Sequence, residues 1–377
     1  MLELCPNKTI CGSCSWSHIP YEKQLQQKLS DINGSFAIKK LDLTVNEIIP
    51  SPKTEHYRSR MDFVIDFEGR FGMRQKGKWW KVIDEHTCFI ADEKIEKHFH
   101  TIHAWIKTAG LSFFDRKAHT GLLRYAVIRT SKTGESMIII VTSGNEHATE
   151  STEQIETALK NLAESACPTT LIWSVNHTVA DVSFGSDLHV ISGPGEIAEN
   201  INGFKYHITP NAFFQTNSHA AELLQETVQE FAGELSEKTL LDLYCGSGFF
   251  SISLAAGAKK TIGIELVEDA INDAKRNAKA NGVDIEYVVQ KTEEADWEQY
   301  HADIVILDPP RSGMHDKALA DVLRIQPETI IYISCNPKNF AREMVQLQEL
   351  YNVQQIRAID MFPHTPHVEL VSELRLR

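Results

Sequence analysis

At 377 residues the chain exceeds the usual size of a single hydrophobic core, so two domains are expected. With 42% hydrophobic and 24% charged residues it has the make-up of a globular enzyme, and no apolar run reaches the roughly 20 residues needed to span a bilayer. The net charge of −13 argues against a surface that coats nucleic acid indiscriminately, although residues 51–130 carry 15 basic against 10 acidic side chains. A polyanion is therefore expected on the N-terminal half. MLELCPNKTICGSC lacks the basic and apolar regions of a signal peptide, so the seven cysteines are expected in a reducing cytoplasm, where metal binding or catalysis outranks disulfides.

In chain order, residues 1–30 hold three cysteines and then a Gln/Lys-rich helical stretch. Residues 57–83 alternate as β-hairpins, with a turn at Glu68-Gly-Arg. A helix is predicted over 92–109, strands over 121–130 and 136–141, an amphipathic helix over 150–165 and a strand over 169–176. After about residue 236 strands and helices alternate. Strands are predicted at 239–244, 260–266, 284–290, 303–308, 329–334, 353–360 and 368–376, with a helix over 267–281 that Gly282 stops. This is an α/β, Rossmann-like, mostly parallel sheet over 206–377, preceded by an α+β domain over 1–205.

Three features at successive strand ends suggest a cofactor cleft. Asp242-Leu-Tyr-Cys-Gly-Ser-Gly248 ends the first strand of the series, and Gly246 lets backbone pass close to a ligand. Glu265 ends the second strand, where a carboxylate can accept hydrogen bonds from ribose hydroxyls. Asp308 ends the fourth, in Asp308-Pro-Pro-Arg-Ser-Gly313. Together they mark an S-adenosylmethionine site.

Cys335 lies where the apolar run Ile331-Tyr-Ile-Ser breaks into Asn336-Pro337. A thiolate there can add to C6 of a uracil and make C5 nucleophilic toward a methyl donor. A base must then take the C5 proton so that the thiol can leave. Glu369, in Phe362-Pro-His-Thr-Pro-His-Val-Glu369, is the candidate base, on a neighbouring late strand. Cys5-x5-Cys11-x2-Cys14, with Cys88 as fourth ligand, is a separate chelating set, suited by its chemistry to an iron–sulfur cluster or to zinc.

The motifs Phe213-Phe-Gln-Thr-Asn217, Leu241–Gly248, Asp308–Gly313, Ser334-Cys-Asn-Pro337 and Phe362-Pro-His-Thr365 occur in this order, and the chain resembles the S-adenosylmethionine-dependent RNA uracil-5 methyltransferases over nearly its whole length. The resemblance implies that Gln215, Tyr244, Glu265 and Asp308 contact the cofactor, with Cys335 as nucleophile and Glu369 as base. It shifts the four-cysteine set toward a structural [4Fe–4S] cluster, zinc being the alternative. It also points to the branch without an N-terminal RNA-binding β-barrel. Phe249 departs from the polar residue of many relatives, and Lys291 has no certain counterpart. The expected substrate is a uridine of RNA, 23S ribosomal RNA ahead of transfer RNA. Cytosine C5 methylation and a non-catalytic iron–sulfur RNA-binding protein rank lower. Arg60, Arg70, Arg74, Lys76, Lys78, Trp79-Trp80, Arg116-Lys117 and Phe213-Phe214 are candidate RNA contacts. A monomer is expected.

Overall fold

The computed structural model describes residues 5–86 and 88–377. The elements run α1 (Tyr21–Ile38), β1 (Ile48–Ile49), β2 (Arg60–Ile65), β3 (Phe71–Gln75), β4 (Lys78–Asp84), α2 (Glu93–Ile106), β5 (Leu123–Thr130) and β6 (Ser136–Ser143). They continue through α3 (Thr152–Ala166), β7 (Thr170–Asn176), β8 (Asp187–Ser192), β9 (Ile197–Ile201), β10 (Phe204–Ile208), α4 (Ser218–Ala232), β11 (Thr239–Leu243), α5 (Phe249–Ala255) and β12 (Lys260–Glu265). The remainder is α6 (Glu268–Ala280), β13 (Glu286–Val289), β14 (Ile304–Leu307), α7 (Asp316–Ile325), β15 (Thr329–Ser334), α8 (Pro337–Leu347), β16 (Tyr351–Ile359) and β17 (Glu369–Leu376).

These elements group into two compact units, and each takes more than one stretch of chain. The first comprises Met1–His18, Thr54–Asn200 and His207–Asn211; the second comprises Ile19–Lys53, Ile201–Tyr206 and Ala212–Arg377. A single break near residue 205 therefore does not describe the chain. Residues 19–53, expected in the first domain, belong to the second, where Ile32, Phe36, Leu41, Val45 and Ile48 join the core.

The first unit is built on a seven-stranded sheet in the order β4-β3-β2-β5-β6-β7-β8. All its pairings are antiparallel except β6–β7, which α3 connects as a crossover. β5, β6 and β7 are buried at every position, which is why they read as continuous apolar runs. α2 lays Ile95, Phe99, Ile102 and Ile106 into the core, and α3 adds Ile155, Leu159 and Leu162. Ser151 and Gln154 close a reciprocal capping box that fixes where α3 starts.

The second unit is an eight-stranded sheet in the order β1-β16-β17-β15-β14-β11-β12-β13. Only β17 runs against its neighbours, and the other pairings are parallel. From β11 the chain builds outward through β12 and β13, then returns to β14 on the other side. That reversal opens a crevice at the C-terminal ends of β11 and β14, the place where such sheets bind ligands. On one face α1, α7 and α8 pack through Phe36, Leu319, Val322, Phe340 and Met344.

α1 answers to the expected Gln/Lys-rich helical stretch, but its packing is hard to read because its buried face includes Gln24 and Lys28. Lys28 is fully buried and pairs with Asp360 at 2.6 Å, and Gln24 Nε2 lies 3.0 Å from His364 Nδ1. Polar partners 332 and 340 residues away make this helix face part of a core, so hydrophobic periodicity does not reveal it. β1, with two residues, is too short for a pattern.

Candidate active site and cysteine cluster

Every residue expected to meet the cofactor or the substrate base lies in the second unit. β11 delivers Asp242 fully buried, its Oδ2 accepting from the Ser251 amide at the start of α5 (2.9 Å). Burial, then the Asp308 carboxylate, pushes the Asp242 carboxyl up to about 8. The chain then turns through Tyr244 and Gly246, both at positive φ (66° and 53°). A Cβ on Gly246 would meet nothing within 4 Å, so the loop faces open space there. Gly248 differs: φ is +87°, and a Cβ would come within 2.6 Å of the Tyr287 hydroxyl. Its glycine serves the packing of α5 rather than access of a ligand.

Glu265 ends β12 and receives the Gly246 amide on Oε2 (3.2 Å) and the Val267 amide on Oε1 (2.9 Å). Each oxygen retains a lone pair for a ligand hydroxyl. Asp308 follows β14, and burial pushes its carboxyl up to about 7. Gly313 closes this loop at φ +87°, where a Cβ would collide with Glu343 Oε1. Tyr244 is half-buried, and burial raises its hydroxyl to about 12. Gln215 is half-buried in the loop before α4. Asn217, two residues on, caps α4 through the Ala220 amide (3.1 Å) and ties that loop to Ser51 and the Met361 carbonyl. The open edge at Gly246, with the Glu265 carboxylate bonded to its amide, fits an adenosine-bearing cofactor with ribose hydroxyls to donate.

Cys335 sits between the end of β15 and the N-cap of α8. Asn336 caps α8 through the Lys338 amide (3.2 Å) and Pro337 occupies its first turn, so the strand must stop at the thiol. β15 pairs with β17 in the register Thr329↔Arg375 through Ser334↔Leu370. Cys335 and Glu369 are the residues next beyond the last pair of that ladder, and the Glu369 carboxylate acts on the Cys335 thiol. The thiol is half-buried and the carboxyl buried. Burial, then the Glu369 and Asp308 carboxylates, raise Cys335 to about 11, against the opposing charge of Arg311. Burial and Asp308 hold Glu369 well above the usual carboxylate range.

Two sets of residues here have no signal in the sequence spacing. Arg311, inside a motif that drew attention only to Asp308, is a cation that favours ionisation of the thiol. Its backbone carbonyl accepts from Asn336 Nδ2 (3.3 Å) and Asn339 Nδ2 (2.7 Å), joining its loop to the Cys335 turn. The second set is the α1 network. Asp360 accepts from Lys28 Nζ (2.6 Å), the Tyr21 hydroxyl (2.8 Å) and the Phe362 amide (3.1 Å), at the head of the loop that leads to Glu369.

Other expectations divide. Phe214 is core, packed on Tyr206 and Phe249 with centroids 5.3 and 5.8 Å away, whereas Phe213 is 74% exposed. Phe249 belongs to that aromatic cluster, which accounts for its apolar character. Lys291 pairs with Glu294 at 2.9 Å.

In the first unit, Cys5, Cys11, Cys14 and Cys88 line one small cavity together with His86 and Phe89, and none is in a disulfide. The Lys76 amide donates to the Ile10 carbonyl (2.7 Å), and Cys11 forms a β-bridge to Gln75, which docks the N-terminal cysteines against the β3–β4 hairpin. Cys88 follows β4 on the loop into α2. Burial, then the neighbouring thiols, raise Cys14 far above its ordinary value, and burial foremost takes Cys88 to about 11. Four clustered sulfurs cannot all ionise without a cation among them, so the donor set fits a metal group.

Comparison with known proteins agrees with this geometry. The profile of the tRNA (Uracil-5-)-methyltransferase family matches residues 20–375. The chain is 39% identical to an uncharacterized RNA methyltransferase of Caldanaerobacter subterraneus, over 98% of this chain and 84% of that protein. It is 38% identical to a tRNA (uracil(54)-C(5))-methyltransferase of Pyrococcus horikoshii, over 97% and 83%. It is similar to the crystal structure of the Pyrococcus abyssi tRNA (uracil-54, C5)-methyltransferase in complex with S-adenosyl-L-homocysteine, with a TM-score of 0.82, 34% identity and coverage of 98% and 86%. The chain belongs to the tRNA (uracil-5-)-methyltransferase family.

Proposed function

We propose that this protein methylates C5 of a uridine in transfer RNA, using S-adenosylmethionine, through a transient covalent bond between Cys335 and C6. The observation that supports the mechanism is that Cys335 and Glu369, just beyond the last pair of the β15–β17 ladder, act on one another electrostatically. Bound cofactor supplies an electrophilic methyl group. The Cys335 thiolate adds to C6, and the displaced electron pair reaches O4, leaving C5 nucleophilic. Once C5 carries the methyl group, Glu369 takes the C5 proton and the S–C6 bond breaks, restoring the double bond and the thiolate. Burial makes the Glu369 carboxylate a stronger base than a solvated one. Arg311 offsets the two carboxylates that oppose ionisation of the thiol. Gln215, Tyr244, Gly246, Glu265 and Asp308 would hold the cofactor.

Ribosomal RNA was expected first, but similar proteins of three Pyrococcus species are tRNA (uracil(54)-C(5))-methyltransferases, and that favours transfer RNA here. The test is a map of 5-methyluridine in RNA from cells lacking the protein. Loss from transfer RNA is expected; loss from 23S ribosomal RNA alone would overturn the assignment.

For Cys5, Cys11, Cys14 and Cys88 we infer a [4Fe–4S] cluster with a structural role. Four thiolate donors suit either an iron–sulfur cluster or zinc, and it is the family resemblance that favours the cluster. Iron and sulfide analysis of anaerobically purified protein should find about four of each per chain; zinc in their place would refute the cluster.

A further inference from the structure

The basic residues of the first unit fall into two classes. Arg60, Arg70 and Arg74 are held by Asp62, Asp66 and Asp181. Lys76, Lys78 and Lys81 are exposed and make no ion pair among the described residues. Between these lysines stand Trp79 and Trp80, each 56% exposed. An isolated exposed apolar residue needs no explanation, but two adjacent indoles in water do.

The backbone presents them deliberately. β4 is an edge strand, and its ladder to β3 pairs Gln75 with Lys78 and next Arg74 with Val82. Trp79, Trp80 and Lys81 thus have no residue opposite and bulge from the hairpin, a device that re-aims side chains at functional edges. The two rings are set edge to face at 88°, with centroids 5.9 Å apart. Arg116 lies 6.0 Å from the Trp79 ring centre and is itself anchored to Asp181 and the Tyr125 hydroxyl. Just behind the bulge, the bridge from Cys11 to Gln75 pins the hairpin to the cysteine segment.

We propose that the segment Lys76–Lys81 is a stacking platform for unpaired bases of the RNA substrate, its lysines meeting the phosphates. The charge fixes the class of partner: residues 76–81 hold three cations and no carboxylate, on a protein that is acidic as a whole. Exposed indoles between cations are what single-stranded nucleic acid requires, bases on aromatic faces and phosphates on ammonium groups. The proposal rests on transfer RNA being the substrate.

The test uses full-length protein and an unmodified transfer RNA transcript. The double variant Trp79→Ala/Trp80→Ala should raise the Kd about tenfold and raise KM with kcat little changed. Its melting temperature and its affinity for S-adenosylhomocysteine should match wild type, and Trp79→Phe/Trp80→Phe should restore RNA binding. Replacing Lys76, Lys78 and Lys81 by Gln should flatten the salt dependence by about 0.7 in log–log slope for each phosphate that these lysines neutralise. An unchanged Kd in the alanine variant, while wild type forms 5-methyluridine in the transcript, would overturn the platform and assign these indoles to another partner. Failure of wild type to bind and methylate the transcript would instead remove the functional reading beneath it, and the platform with it.

Discussion

The two cysteine regions differ in what surrounds the sulfur. Cys335 faces two carboxyls and an arginine at a half-exposed strand end. In the other region the thiols face chiefly one another, in a cavity of the first unit. Thiol ionisation is suppressed in both, and burial is the leading cause in both. A raised thiol therefore does not by itself tell catalysis from structure. The neighbours do: a thiol with a paired acid can exchange protons, whereas a set of like donors awaits a cation.

The largest effect expected is at Cys335. Cys335→Ala should lower turnover by roughly four orders of magnitude or more, while S-adenosylhomocysteine still binds. Substantial turnover by this variant would remove the covalent mechanism and erase the contrast between the two regions.

The four-thiol region should respond in stability rather than chemistry. Cys14→Ser or Cys88→Ser should cost the metal group and lower the melting temperature of the first unit. The single-turnover rate with bound RNA should stay within about threefold of wild type, since neither residue contacts the reacting atoms. A loss of rate as deep as that of Cys335→Ala would make the two regions one site.

The fold shows how unevenly this contrast is written in the sequence. β11, β12, β14 and β15 are apolar runs ended by turn chemistry, and they lie within about two residues of where periodicity puts them. Cys335, Glu265 and Asp308 are legible because they sit at those ends. α1 is legible as a Gln/Lys-rich helix, but its buried face is not, since Lys28 and Gln24 are core residues only through partners 332 and 340 positions away. The segment between β7 and α4 also hides short strands, among them β8, which is mostly exposed and leaves no apolar alternation to read. Arg311 sits in a legible motif, but its action on the thiol exists only in the folded loop.

Breaking the α1 network sharpens the account of how Glu369 is delivered. Lys28→Met leaves the Asp360 carboxylate buried without its cation and should cost about 3–5 kcal/mol in a denaturant titration. Lys28→Met/Asp360→Leu should recover part of that loss. A loss in the double variant equal to the sum of the Lys28→Met and Asp360→Leu losses would show that the two residues do not act as a pair.

The smallest effect is a shift in pH dependence. Thiolate forms as pH rises toward about 11, so single-turnover methylation should increase with pH across the neutral range. Arg311 favours the thiolate, so Arg311→Met should move the rising limb to higher pH and slow the reaction several-fold at about pH 7.5 while sparing the alkaline rate. An unshifted limb would exclude Arg311 from activation of the thiol.

The central claim is that Cys335 and Glu369 serve the two ends of one covalent cycle, and Glu369→Gln tests it most directly. With S-adenosylmethionine and a transfer RNA transcript this variant should methylate the base and then stall, giving a protein–RNA adduct that survives denaturing electrophoresis and disappears when Cys335 is also replaced. Release of free methylated RNA at the wild-type rate, with no adduct, would contradict the account.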